Sequence, residues 1–199
     1  MSSLPTITLR EPFATLVARG VKRYETRSWA TEHRGVLLVH ASAGYSGEDH
    51  AAAVRLMGEL STGLGAELMR TLRKRPADSF RLTRGHVLAV AWLAGCHLMQ
   101  PGPEGYQVGY QFDLHDPAWQ TGEGELQVRT TITQTERRCG YWDQGRYAWE
   151  LQHVQLLPQA LPAKGALQLW RFEPPERHAA EVVAAVERCR EAASVGVPR

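Results

Sequence analysis

The chain has 199 residues, a net charge of +2 and 43% hydrophobic residues, which suits one globular domain with additions. No apolar run reaches the roughly 18–20 residues of a membrane-spanning helix, and the N-terminus lacks the pattern of a secretory signal. The three cysteines, Cys96, Cys139 and Cys189, are odd in number and widely spaced, which disfavours disulfides and favours the cytoplasm. The sequence holds no Cys-x-x-Cys or His-x-His pair and no glycine-rich nucleotide loop, so we expect neither a metal nor a cofactor.

The first elements are short. Residues Thr6 to Leu9 alternate between polar and apolar side chains, as in a strand. Apolar residues then recur at helical spacing between Pro12 and Gly20, which predicts a short helix that ends just before Lys22.

The next segment, Tyr24 to Trp29, is predicted to be extended. Side chains of a strand alternate between faces, so Glu25, Arg27 and Trp29 should share one face. Such a face suits an apolar core only if its charges pair. One interpretation is a hairpin with a structural ion pair and a tryptophan anchor, and the other is a binding face.

Residues Gly35 to Ser42 are mostly apolar and end in a polar pair that includes His40, which predicts a buried strand that opens toward solvent. Residues 44–75 are predicted to be helical. Ser46 and Asp49 resemble a capping box at the start of this region. The basic run that follows, from Arg70 to Arg84, is either a solvated helix end or a set of phosphate contacts.

The middle of the chain contains one long strand and one long loop in this interpretation. Residues Gly85 to Met99 are rich in valine and alanine, which favours a central strand with a bend at Gly95. Prolines and glycines between Gln100 and Glu125 predict a loop. Residues 126–133 suit either a strand or the start of a helix.

The C-terminal part begins with a turn at residues 140–146. Residues Tyr147 to Leu151 form a predicted strand with an aromatic face, and Pro158 and Pro162 are expected to interrupt the chain after it. A last strand is predicted at Leu167–Phe172 and an amphipathic helix at Glu176–Ala193. Short strands with peripheral helices favour an α+β fold built on a small mixed β-barrel.

Several segments of the chain resemble an ASCH domain, a member of the PUA-like superfamily. The family pattern G-x-K-x-x-E-x-R matches GVKRYETR at 20–27, and the strand that follows ends in His-Ala at 40–41, as in the family. Residues 9–14, LREPFA, resemble its opening, and residues 145–151, 164–165 and 169–170 resemble its closing strands. The resemblance covers roughly residues 5–172.

The resemblance implies an α+β, PUA-like small mixed β-barrel flanked by helices. The ASCH domain would then occupy residues 1–173, with a helical insertion at 44–75 and a loop insertion at 100–125. A C-terminal helix would follow at 174–199.

The resemblance also implies a cleft that binds nucleic acid or single nucleobases, most simply single-stranded RNA, single-stranded DNA or a modified nucleoside. A carboxylate can accept a hydrogen bond from the amine of a base, a cation can bind phosphate, and an aromatic ring can stack on an unpaired base. The candidate binding residues are Lys22, Glu25, Arg27, Trp29, His40, Ser42, Trp142, Arg146 and Tyr147.

Two alternatives remain open at this point. Some relatives resemble acetylcytidine amidohydrolases or ribonucleases, and in such an enzyme Lys22 and Glu25 would be catalytic, with His40 as a further acid–base group in a nuclease. The amidohydrolases have threonine where this chain has Glu25, and a carboxylate cannot replace a hydroxyl nucleophile without a change of mechanism. The other alternative is an adaptor that binds a protein through the aromatic loop Tyr106–Trp119.

Overall fold

The computed structural model describes residues 3–51, 56, 82–102, 105–109, 128–132 and 134–195. The chain divides into two compact units. Unit 1 contains Met1–Lys22, Gly35–Trp92 and Gln152–Arg199, and unit 2 contains Arg23–Arg34 and Leu93–Leu151. None of the described helices has the length and hydropathy that crossing a membrane requires.

The described strands are β1 Leu4–Leu9, β2 Tyr24–Arg27, β3 Gly35–Ala41, β4 His86–Gly102, β5 Gly105–Gly109, β6 Val128–Thr131, β7 Tyr147–Pro162 and β8 Leu169–Phe172. The helices are α1 Phe13–Ala18, α2 Gln134–Arg138 and α3 Glu176–Val195, and residues 47–51 are also helical. In this part of the chain, six strands follow the order β2-β7-β4-β3-β1-β8, while β5 pairs with β4 and β6 with β5. The β1–β3 pair is parallel and the β1–β8 pair antiparallel, so the sheet is mixed. The predicted α+β, PUA-like fold class is confirmed.

The core of unit 1 lies between the sheet and α3. All seven residues of β3 are buried, as expected for a strand with neighbours on both sides. Four residues of α3 recur at helical spacing and pack on side chains from β3, β4, β7 and β8. These α3 residues are Val182, Ala185, Val186 and Cys189.

A hydrogen-bonded chain crosses the polar end of β3. The indole N–H of Trp170 donates to Thr8 Oγ1 at 3.0 Å, and the Nδ1 atom of His40 lies 3.2 Å from that same oxygen. The Nε2 atom of His40 lies 3.1 Å from the carbonyl oxygen of Ala163 and must donate to it. Burial lowers the pKa of His40, which favours the neutral ring; with Nε2 donating to Ala163, Nδ1 accepts a hydrogen bond from the Thr8 hydroxyl. A Cβ atom at Gly165 would lie 2.5 Å from the imidazole, so glycine permits this packing.

The carboxyl group of Glu11 is buried beside the start of α1, with 1% of the residue exposed. The backbone N–H and the hydroxyl of Thr15 donate to it at 3.0 and 2.9 Å. Burial raises the pKa of Glu11 from 4.5 to about 6, although the Thr15 hydrogen bonds and the charge of Arg84 lower it in part.

The capping box predicted at Ser46 is confirmed. The backbone N–H of Ser46 donates to the Asp49 carboxylate at 2.7 Å, and the backbone N–H of Asp49 donates to Ser46 Oγ at 3.2 Å. Arg10 also binds this carboxylate, at 2.8 Å. The reciprocal bonds satisfy N–H groups that a helix start leaves unpaired.

Two sequence predictions are wrong: the interruption of the strand at Pro158 and the loop at residues 105–109. Strand β7 runs through Pro158 and ends only at Pro162. Its ladder with β2 covers Tyr147 to Glu150, so among the described residues Pro158 lies beyond that ladder, where a missing N–H costs no β2 bond. Residues Gly105 to Gly109 are a strand where a loop was predicted, because they pair antiparallel with the end of β4. Residues 100–102 of the predicted loop belong to β4. Residues 103–104 and 110–125 of that loop, most of the predicted helical region 44–75 and the basic run up to Arg81 lie outside the described residues.

We expect Thr8→Val to lower the free energy of unfolding by about 1–3 kcal/mol, because it removes the hydroxyl that serves both the Trp170 indole and the His40 ring. Urea denaturation at neutral pH measures this change. Thr83→Val, at an exposed position, is the matched control and should change stability by less than about 0.5 kcal/mol. Equal stabilities of the two variants would contradict the hydrogen-bonded chain.

Glu11 should make stability fall as the pH rises. The unfolded chain releases the Glu11 proton near pH 4.5, whereas the folded chain holds it to about pH 6. The loss of folding stability therefore develops between these two pH values. It amounts to about 2 kcal/mol for a pKa difference of this size. Urea denaturation across this pH range should therefore show Glu11→Gln gaining stability relative to the parent chain. With the exposed Glu32→Gln as a control, a pH-independent difference for Glu11→Gln would refute the assignment.

Candidate nucleic-acid interface

The ladder between β2 and β7 in unit 2 decides which side chains share a face. It pairs Glu25 with Trp149 and Arg27 with Tyr147. Directly opposed residues of antiparallel strands project to the same side. These four residues therefore form one face, which we call the β2–β7 face.

The two charges of the β2–β7 face form an ion pair. Arg27 Nε lies 3.0 Å from Glu25 Oε1. The Glu25 side chain is 12% exposed and that of Arg27 is 25% exposed, while Tyr24 and Thr26 are buried on the other side. The predicted alternation of β2 is therefore present, and the pairing explains how two charges sit on a half-buried strand.

Trp29 follows the end of β2 and packs on the same face. Its ring meets that of Trp149 edge to face, with 4.6 Å between the centroids. The indole N–H of Trp149 donates to the Trp29 carbonyl at 3.3 Å. Trp149 is fully buried and Trp29 is half-buried, so the Trp149 ring anchors the Trp29 ring. Acid, guanidinium and indole thus lie on one side of the ladder, with the half-buried Tyr147.

Trp142 lies on the opposite side of the ladder. It is 6% exposed and belongs to a small core with Tyr24, Met99, Ile132 and Ala148. Its indole N–H donates to the carbonyl oxygen of Glu136 at 2.8 Å. The structure therefore does not bring this candidate together with Glu25 and Arg27.

Arg146 braces the turn that precedes β7. Its Nη2 donates to the Thr26 carbonyl at 3.3 Å and its Nε to the Tyr141 carbonyl at 3.2 Å. Its guanidinium also lies over the Tyr141 ring, 4.9 Å from the centroid. Sequence reasoning missed Tyr141, which is 62% exposed, and the only signal was an aromatic residue in a turn.

Two buried carboxylates of unit 2 also escaped sequence reasoning. Glu136 accepts the backbone N–H groups of Arg23 and Tyr24 at 2.5 and 3.4 Å, which ties α2 to the start of β2. Glu150 Oε2 lies 3.0 Å from His97 Nε2. A Cβ atom at Gly95 would lie 2.4 Å from the His97 ring, so the absence of a side chain at Gly95 makes room for this pair.

The remaining candidates belong to unit 1. Lys22 is 1% exposed, and its Nζ lies 5.7 Å from the centroid of the Phe13 ring. His40 is fully buried, and both of its ring nitrogens are engaged as described above. Ser42 is half-buried, and its hydroxyl donates to the Gly44 carbonyl at 3.1 Å.

In the described ranges, no three His, Cys, Asp or Glu side chains are grouped closely enough to hold a metal ion.

Two comparisons with known proteins bear on this arrangement. A 37-residue segment is 49% identical to Activating signal cointegrator 1 of Homo sapiens, and it covers 19% of this chain and 6% of that protein. This chain thus spans a small fraction of the length of that relative. The family model of the ASCH domain matches residues 7–155, well over half of the chain, and includes all of β2, β3 and β4. The chain therefore belongs to the ASCH domain family.

Proposed function

We propose that the chain binds single-stranded RNA or a modified nucleoside, and that the β2–β7 face of unit 2 holds the base. The observation that carries this proposal is the Glu25–Arg27 pair at 3.0 Å, partly exposed and on the same side as Trp29. Membership of the ASCH family supports a role in RNA binding. The same chemistry would accept single-stranded DNA, which a competition experiment separates from RNA.

The ion pair would serve recognition by fixing the carboxylate before a ligand arrives. Glu25 is oriented by Arg27 and by its place in the ladder opposite Trp149. A carboxylate on a base edge accepts from an exocyclic amine, as in the pairing of glutamate with the N4 amine of cytosine. Because the side chain is already ordered, binding loses less rotamer freedom than it would with a mobile glutamate.

The indole would supply most of the affinity. Stacking of a base on an aromatic ring contributes about 1–3 kcal/mol, whereas an exposed ion pair contributes about 0–1 kcal/mol. Trp29 is half-buried, and its edge-to-face contact with the buried Trp149 holds the ring in place. Tyr147, opposite Arg27 in the ladder, is a second ring on this face.

The other predicted residues have different places in the proposal. Trp142 is better placed to hold the core of unit 2 than to touch a base, because it is buried. Arg146 is bound to two backbone carbonyls and orders the turn before β7. Lys22 and His40 are buried more deeply still, at 1% and 0% exposure, so they too are better placed to support the fold, in unit 1, than to touch a base. Ser42, which is half-buried, remains a predicted contact of unit 1.

We expect Trp29→Ala to weaken binding of a fluorescein-labelled single-stranded RNA by about 5- to 150-fold, the loss of one stacked base. Fluorescence anisotropy at fixed salt measures the affinity, and circular dichroism confirms the fold. Trp29→Phe keeps a ring at this position and should lose less. A folded Trp29→Ala protein with unchanged affinity would rule out this role.

Glu25→Gln should change the choice of base. The amide offers one acceptor oxygen in place of two, so cytidine should lose about tenfold or more in affinity while uridine changes little. Titration of a nucleoside panel by calorimetry measures both. Glu32→Gln, an exposed carboxylate of the same unit, is the matched control and should leave the panel unchanged. Equal losses for cytidine and uridine would argue against base reading by Glu25.

The enzymatic alternative is tested with the same protein. Incubation with N4-acetylcytidine and with labelled RNA, followed by chromatography, reports cytidine or shortened RNA if a bond is broken. Product formation that disappears in Lys22→Ala and Glu25→Gln would replace the binding proposal with a hydrolase that uses these residues.

A further inference from the structure

Tyr141 presents a large aromatic ring to solvent from a fixed backbone. Its residue exposure is 62%. The backbone N–H donates to Thr26 Oγ1 at 2.9 Å, and the carbonyl accepts from Arg146 Nε at 3.2 Å. An exposed ring on a backbone bound at both its N–H and its C=O loses little freedom when a ligand packs on it.

The neighbours of Tyr141 explain why it points outward. Trp142 is packed in the core of unit 2 with its indole N–H on the Glu136 carbonyl. Gly140 permits a close approach, because a Cβ atom there would lie 2.7 Å from Trp142 Nε1 and 3.0 Å from Thr26 Cγ2. The buried tryptophan and the tight glycine fix the chain on both sides, so the exposed position of Tyr141 is built into the fold.

A cation lies against this ring. The Arg146 guanidinium is 4.9 Å from the Tyr141 centroid and is also held by the Thr26 carbonyl. The guanidinium is thereby fixed over the ring. Arginine and tyrosine together are the side chains that grip unpaired bases by stacking and cation–π contact.

Exposed arginines lie in the segments joined to this turn. Arg137 and Arg138 end α2, only a few residues before Tyr141, and both are exposed. The carboxylate of Glu136 accepts the backbone N–H of Arg23, which brings a third exposed arginine to α2. Glu136 itself is buried, so the exposed acidic residue of these segments is Asp143 in the turn, alongside Arg23, Arg137 and Arg138.

We propose that this surface, formed by Tyr141, Arg146, Arg23, Arg137 and Arg138, is a second contact for single-stranded nucleic acid. Tyr141 stacks on one base, and the arginines of α2 and Arg23 bind the adjoining phosphates. The surface is tied to Thr26, whereas Glu25 and Arg27 project to the other side of β2. The choice of a nucleic acid as the occupant rests on the proposed function.

The test uses the full chain with two ligands, free cytidine and a labelled single-stranded RNA of roughly 12 nucleotides. That length suits single-strand binding sites, which span about 4–16 nucleotides in other modules. The variants are Tyr141→Ala, Tyr141→Phe and the pair Arg137→Gln with Arg138→Gln. The pair Arg188→Gln with Arg190→Gln is the matched control, since it removes two exposed charges from α3 of unit 1. Anisotropy against salt concentration gives affinity and salt dependence, and calorimetry gives cytidine binding.

We expect Tyr141→Ala to weaken RNA binding by about 5- to 150-fold and Tyr141→Phe to retain it. Cytidine binding should be the same in all variants, because the base site lies on the other face of the ladder. Loss of Arg137 and Arg138 should reduce the slope of log affinity against log salt by about 1.4, at about 0.7 per phosphate contact. The α3 pair should leave that slope unchanged.

The outcomes separate this surface from the β2–β7 face. Full RNA affinity in Tyr141→Ala with an unchanged salt slope in the α2 pair would overturn the second surface and leave the proposed function standing. RNA binding that depends on Tyr141 but not on Trp29 would support the second surface and overturn the proposed base site. A parent chain that binds neither RNA nor cytidine would overturn both, and would favour a protein as the occupant of the basic surface.

Discussion

The register between β2 and β7 determines the chemistry of unit 2. It sets Glu25 opposite Trp149 and Arg27 opposite Tyr147, so charges and rings are sorted to one side. A shift by one residue would turn the charged pair into the small core and expose Tyr24 and its packing partners, because side chains alternate along a strand. The ladder is short, and it is secured by contacts beyond its own backbone bonds.

Those contacts come from polar groups that are buried and satisfied. Glu136 binds the first N–H groups of the β2 segment, and Thr26 binds the 140–146 turn through its hydroxyl and its carbonyl. Each bond joins segments that are far apart in sequence, so each fixes tertiary position as well as local conformation. Buried polar groups specify a single arrangement because any slip would leave them without hydrogen bonds. In unit 1, His40 is fixed in the same way, by hydrogen bonds to Thr8 and to the Ala163 carbonyl.

Hydrophobic periodicity was enough to predict most elements of the fold. The alternation in β2, the continuous apolar run of β3 and the helical spacing in α3 each report which face is buried. The alternation predicted for Tyr24 to Trp29 also placed Glu25 and Arg27 on one face. The length of β7 could not be predicted, because a proline fits a strand only where no neighbour needs its N–H, and the sequence does not show how far β2 and β4 pair with β7. Nor could the sequence sort Trp142 from Tyr141, since two adjacent aromatic residues are equivalent until the Glu136 carbonyl and Gly140 select which one is buried.

The fixed backbone on both sides of Tyr141 has an evolutionary consequence. Positions 140 and 142 are constrained by packing, whereas the side chain at 141 contributes little to the buried core. Selection can therefore exchange the residue at 141 without a loss of folding stability. Homologues should diverge there in step with their ligands, while the flanking glycine and tryptophan persist.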